Sequence, residues 1–130
     1  MTPRRASPPP ALHSLESEVM EEVWLQGRTN VRRVMEALNE HRKKERAYTT
    51  YMTIMVRLAS KGLLHRERDG KADSYWPRLT RDEFQRARAA QEVGALVDEF
   101  GEVALAHFAK EIEKLDPARL KALRQLARGA

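Results

Sequence analysis

Thr49, Thr50, Thr53 and Arg57 stand at spacings of i, i+1, i+4 and i+8. On a helix that spacing gathers them on one side. Such a face suits the base edges of a DNA major groove. A threonine hydroxyl donates or accepts there, its methyl packs on a thymine methyl, and Arg57 can reach a guanine or a phosphate. A few residues later Arg66, Arg68 and Lys71 flank Asp69-Gly70. Cations beside a tight turn suit phosphate or minor-groove contact. Arg46, just ahead of Tyr48, adds a further phosphate ligand, so the candidate DNA-contacting set is Arg46, Tyr48, Thr49, Thr50, Thr53, Arg57, Arg66, Arg68 and Lys71. The plainer alternative is a solvated helix face with Thr49 as its cap, followed by an edge strand protected by charge.

Little else in the chain offers chemistry. His13, His41, His65 and His107 are scattered, with no i, i+4 partner and no paired carboxylates, so no metal site is expected. The absence of cysteine removes disulfides, thiolate sites and a cysteine nucleophile. Glu21-Glu22 and Asp98-Glu99 read as solvated faces. No nucleophile motif and no glycine-rich phosphate loop occurs. The expectation is no enzyme and no cofactor.

The elements that must position the threonine face follow from apolar periodicity. Ser14 to Gln26 reads as a helix with Leu15, Val19, Met20, Val23 and Trp24 on one stripe, Ser14 as its cap, Glu16 and Glu18 as first-turn negative charge, and Gly27 as its end. Asn30 to Glu40 reads as a second helix on Val31, Val34, Met35 and Leu38, capped by Thr29 or Asn30. His41 to Arg46 is a charged connection. Thr49 to Ser60 reads as the third helix, burying Tyr51, Ile54, Met55 and Leu58. Leu63–Arg68 and Lys71–Trp76 read as strands joined by a type I′ turn at Asp69-Gly70. Three helices and a basic hairpin make a winged helix-turn-helix.

From Thr80 the pattern is helical again. Thr80 and Glu83 form a capping box, Gly101 marks a break, and Asp116-Pro117 opens a last helix. These segments are amphipathic and too short to form a core alone, so a second copy of the chain is the simplest cover for Phe84, Leu96, Phe100, Leu105, Phe108, Ile112, Leu120 and Leu123. The expected organisation is a disordered Pro-rich tail over 1–11, a winged-helix DNA-binding domain over 12–79 and a helical dimerisation domain over 80–130. The fold class is mainly α (α+β).

Charge follows the same division. Residues 1–78 hold 15 Lys/Arg against 10 Asp/Glu, and residues 79–130 hold 9 of each, so all of the net +5 lies in the first part. That asymmetry fits a polyanionic partner. No apolar run reaches the roughly 18 residues of a membrane span, so no direct membrane association is expected and the cytoplasm is the expected compartment.

The residues in this order resemble the BlaI/MecI/CopY family of bacterial penicillinase-repressor-type regulators. The markers are Leu15-Glu16-x-x-Val19-Met20-x-x-Val23-Trp24, Val31-Arg32-x-Val34, Tyr48-Thr49-Thr50-x-Met52-Thr53-Ile54-Met55-x-Arg57-Leu58, Lys61-Gly62-Leu63-Leu64-x-Arg66-Glu67-Arg68-Asp69-Gly70 and Tyr75-x-Pro77. The resemblance spans about Leu12 to Leu126. It implies a homodimeric repressor that binds inverted-repeat operator DNA and blocks transcription of β-lactam-resistance or stress genes. In the β-lactam members a membrane-bound sensor protease brings about cleavage in the dimerisation arm between Asn and Phe. Those positions correspond here to His107 and Phe108, so the Phe is present and the Asn is not. The copper-sensing members use cysteines near the C-terminus, which this chain lacks. Two further departures are Tyr51, where the family carries a smaller aliphatic residue, and Asp73, where an aromatic is common. Tyr51 must find room in the core or lean toward solvent, and Asp73 is expected to loosen the wing. The residues alone leave two other uses of this fold open: a protein-docking module without DNA, and a regulator that responds to a small ligand.

Overall fold

The computed structural model describes residues 9–129. The first eight residues of the expected tail lie outside them. The elements are α1 (Ser14–Gln26), α2 (Val31–Asn39), α3 (Tyr48–Ser60), β1 (Leu64–Asp69), β2 (Ala72–Pro77), α4 (Arg81–Phe100), α5 (Glu102–Glu113) and α6 (Pro117–Arg128).

The apolar stripes of the first three helices converge on one core. Val19, Met20 and Val23 of α1, Val31 and Val34 of α2, and Tyr51, Ile54, Met55 and Leu58 of α3 meet Leu63, Leu64 and Tyr75 at the base of the hairpin. Burying each of the larger aliphatic side chains contributes about 1.5–3 kcal/mol, which holds α3 despite its β-branched residues. Local caps set the ends. The Asn30 side chain accepts the Arg33 N–H at 2.9 Å at the start of α2. Thr80 and Glu83 form the reciprocal box at α4, Thr80 N–H donating to Glu83 Oε1 at 2.9 Å and Glu83 N–H to Thr80 Oγ1 at 3.1 Å. Asp116 accepts the Arg119 N–H at 2.8 Å at α6. In α1 the cap falls on His13, not Ser14. Glu16 turns back to accept the His13 N–H at 3.1 Å and is buried rather than solvated.

The hairpin differs from its expected form by one residue. Asp69 pairs with Ala72, so the loop is Gly70-Lys71. Gly70 has φ 68° and no described non-glycine residue has positive φ, so only the first central position is left-handed. That is the arrangement of a type II′ turn rather than type I′. The sheet also gains a bridge that periodicity does not reveal: Thr29 and Tyr75 exchange backbone hydrogen bonds of 2.8 Å in both directions. A single-residue bridge has no alternation to read.

The first compact unit runs to Gln85. The Trp24 indole N–H donates to the Leu79 carbonyl at 2.9 Å, and the Trp24 and Phe84 rings lie 5.4 Å apart. Phe84, expected on the dimerisation face, packs on the winged-helix core. The second unit, residues 86–130, has little interior of its own. Among its described residues only Ala104 is buried, and Val93, Leu96, Phe100, Val103, Leu105, Ile112, Leu123 and Leu126 are exposed. Gly101, at φ 56°, makes the break between α4 and α5 that a side chain would strain.

Candidate nucleic-acid interface

α3 owes its placement to a polar clamp on the connection before it. Asn39, buried at the end of α2, donates from Nδ2 to the Arg46 carbonyl at 2.9 Å and accepts the Arg46 N–H at 3.1 Å. The Tyr51 hydroxyl donates to Asn39 Oδ1 at 2.8 Å. The tyrosine is fully buried with its hydroxyl satisfied, so the core makes room for it and gives it a partner. Tyr51→Phe leaves Asn39 short of that donor and is expected to cost about 1 kcal/mol, read as a lowered urea midpoint with unchanged m-value. An unchanged midpoint would mean that the hydroxyl does not tie the connection to α3.

Arg46 takes part in the same clamp. One terminal nitrogen donates to Glu18 at 3.1 Å and the other lies 3.5 Å from the Tyr51 hydroxyl. Its charge is turned back onto α1, so its first task is to brace the connection.

With α3 fixed, Thr49, Thr53 and Arg57 are exposed along one side, and Thr50 is half-buried. Tyr48 and Met52 are 42% and 40% exposed and face the wing. They join Asn30, Val31 and Arg32 of the α2 start and Arg66, Arg68, Lys71, Asp73 and Tyr75 of the hairpin around a groove of about 440 Å³. The structure therefore brings Tyr48 together with Arg66, Arg68 and Lys71, while Thr49, Thr53 and Arg57 follow the same helix outside the groove lining. Asn30, Arg32, Met52 and Asp73 are groove residues that sequence reasoning did not assign to the site. Arg32 entered the sequence reading only within the family marker Val31-Arg32-x-Val34.

The wing's register sorts its side chains. Arg66 is opposite Tyr75 and Arg68 opposite Asp73, so these four share one face; His65 opposite Trp76 and Glu67 opposite Ser74 share the other. Arg28 braces the second face, its guanidinium 4.2 Å from the Trp76 ring centre, and His65 stacks on the same indole at 5.1 Å. On the groove face Asp73 finds a partner: Arg66 donates from Nε to Asp73 Oδ2 at 2.7 Å, and a terminal nitrogen lies 2.6 Å from the same oxygen in an ion pair. Burial pushes the Tyr75 phenol above its ordinary pKa, with the nearby Arg66 charge working against the shift. Among the described residues, Arg57, Arg68 and Lys71 carry no ion pair.

In the second unit the remaining expected dimerisation residues lie on amphipathic helices. Leu96, Phe100, Val103, Ala104, His107 and Phe108 surround an apolar hollow of about 350 Å³. Ile112 and Leu123, with Val93 and Phe108, line a second of about 370 Å³. Leu105 is exposed and Leu120 half-buried. His107 is exposed, Phe108 is half-buried, and the bond between them lies inside α5.

A family profile described as penicillinase repressor matches residues 12–128. The transcriptional regulators BlaI of two Mycobacterium tuberculosis strains, CDC 1551 / Oshkosh and ATCC 25618 / H37Rv, are each 35% identical to this chain over 122 residues, 91% of this chain and 86% of theirs. The solution structure of the DNA-binding domain of the repressor BlaI matches with a TM-score of 0.50 at 24% identity, over 61% of this chain and 93% of that one, which is a likeness of fold. An exposed threonine face beside a basic wing is joined here by a family match that runs from α1 through α6, and the chain belongs to the penicillinase repressor family of DNA-binding transcriptional repressors.

Proposed function

We propose that the protein acts in the cytoplasm as a homodimer on inverted-repeat operators, repressing β-lactam-resistance or stress genes. The observation that carries this reading is the groove that sets Tyr48 and Met52 of α3 against Arg66, Arg68 and Lys71 of the wing, with Thr49, Thr53 and Arg57 exposed on the same helix. α3 enters the major groove, and Arg68 and Lys71 hold the adjoining backbone. The exposed apolar side chains of α4, α5 and α6 are covered by the same helices of a second copy. Two copies then present two α3 helices to major grooves about 34 Å apart, or a multiple of that.

Base and phosphate contacts separate in their effects. Thr53→Ala is expected to lower operator affinity about fivefold while leaving random-sequence duplex unchanged, because it removes a base contact. Arg68→Ala is expected to weaken operator and random duplex alike and to flatten the salt slope by about 0.9 per lost phosphate contact in each protomer. Titrating both duplexes at several salt concentrations checks the division. Equal loss on both duplexes in both variants sinks it.

Relief of repression by a membrane sensor protease at His107-Phe108 requires α5 to open first, because the bond is helical and cleavage proceeds from locally unfolded backbone.

A further inference from the structure

The wing carries one acid in its groove face, and the register gives it a choice of two arginines. Asp73 is directly opposite Arg68 and diagonal to Arg66, and both are within side-chain reach across an antiparallel pair. It takes the diagonal partner, Arg66, through one hydrogen bond of 2.7 Å and an ion-pair contact of 2.6 Å to the same oxygen. Its side chain is 16% exposed beneath an Arg66 that is 45% exposed. Arg66 is further fixed over the Tyr75 ring, 5.9 Å from its centre. Arg68 and Lys71 are left without ion pairs among the described residues, at the outer end of the hairpin.

We propose that Asp73 limits the wing's sequence-independent grip: it holds Arg66 in an internal ion pair, so that the wing meets DNA through Arg68 and Lys71 alone and random-sequence binding stays weak. This rests on the operator-binding reading above. The physical reason is that phosphate attraction is indifferent to sequence: each cation freed toward the backbone adds equally to every duplex. A wing with three free cations would hold all DNA more tightly without improving the ratio of operator to random sequence, which is the quantity that matters in a genome. A carboxylate that neutralises one of the three, and that would itself repel phosphates if Arg66 left it, limits that common term. α3 keeps the discriminating contacts.

The test measures the full chain on a selected operator duplex and on random duplex across a salt series. Asp73→Asn keeps the shape and removes the charge. It is expected to tighten random-duplex and operator binding alike by about tenfold, leaving their ratio within about twofold, and to steepen the salt slope on both by about 0.9 for each protomer's added phosphate contact. Arg66→Ala uncovers the carboxylate and weakens both complexes, and Arg66→Ala with Asp73→Ala restores random-duplex binding to the wild-type level or above. A brace with no electrostatic role predicts weakening in every one of these variants. The proposal is overturned, with the operator reading intact, if Asp73→Asn matches the wild type in random-duplex affinity and salt slope while the wild type still selects a motif. A wild type that selects no motif overturns the operator reading and this proposal together.

Discussion

Leu96→Lys combined with Phe100→Lys is expected to leave the protein monomeric and to lower its affinity for a full inverted repeat by about 10²–10⁴-fold, the range lost when two linked half-site contacts become independent. Both side chains are exposed in the single chain, at 41% and 52%, so replacing them removes no internal contact comparable to a core residue. They border the apolar hollow of α4 and α5, and in a two-fold assembly the same patch is used by both copies, so both sides of the interface carry the new charges. Light scattering reads the oligomeric state and titration reads the affinity. Binding to an isolated half-site is expected to stay at the wild-type level, because the winged helix has its own core. A variant that remains dimeric removes this face from the proposed interface.

The second large effect is on stability. Lys61→Ala costs about 3 kcal/mol, the low end of the range for breaking a buried ion pair, because Lys61 is itself partly exposed while Glu16 is not. The Lys61 ammonium donates to Glu16 Oε2 at 2.7 Å, tying the end of α3 to the start of α1. For a domain this small that is a large share of the total. Burial pushes the Glu16 carboxyl up, but the Lys61 hydrogen bond, the His13 backbone N–H and the nearby positive charge outweigh it and leave the pKa below the ordinary 4.5. A depressed carboxylate stabilises the fold above its unfolded pKa, and that contribution is lost as pH falls through the lower folded value. The gap between wild type and Lys61→Ala is therefore expected to be full at pH 7 and to shrink below about pH 4.5. Urea unfolding at several pH values checks it. A gap that stays constant into acid would reduce Lys61 to a packing role.

What the sequence made legible was what repeats locally. The stripes of α1, α2 and α3 put Val19, Val23, Val34, Ile54 and Leu58 in the core, where the structure has them. The Thr80–Glu83 and Asp116–Pro117 caps also open helices as read. The misplacements are long-range. Glu16 read only as a first-turn charge, because its partner Lys61 is on another helix. Arg46 and Arg66 looked like free phosphate ligands because Glu18 and Asp73 become neighbours only on folding. Phe84 fitted an arm-facing stripe until Trp24 met it. The hairpin turn moved by one residue because Gly70 can serve either central position of a two-residue loop, and strand pairing decides which. Periodicity reports which side of an element is apolar, not which partner covers it.

The central claim is that this chain reads DNA as a dimer. Selection of bound sequences from random duplex, followed by the salt dependence of the winner, tests it most directly. The account predicts a two-fold inverted repeat, with half-sites about one helical turn or a multiple apart and log affinity falling steeply with log salt. Enrichment of no motif, with only weak and salt-labile binding, would contradict it.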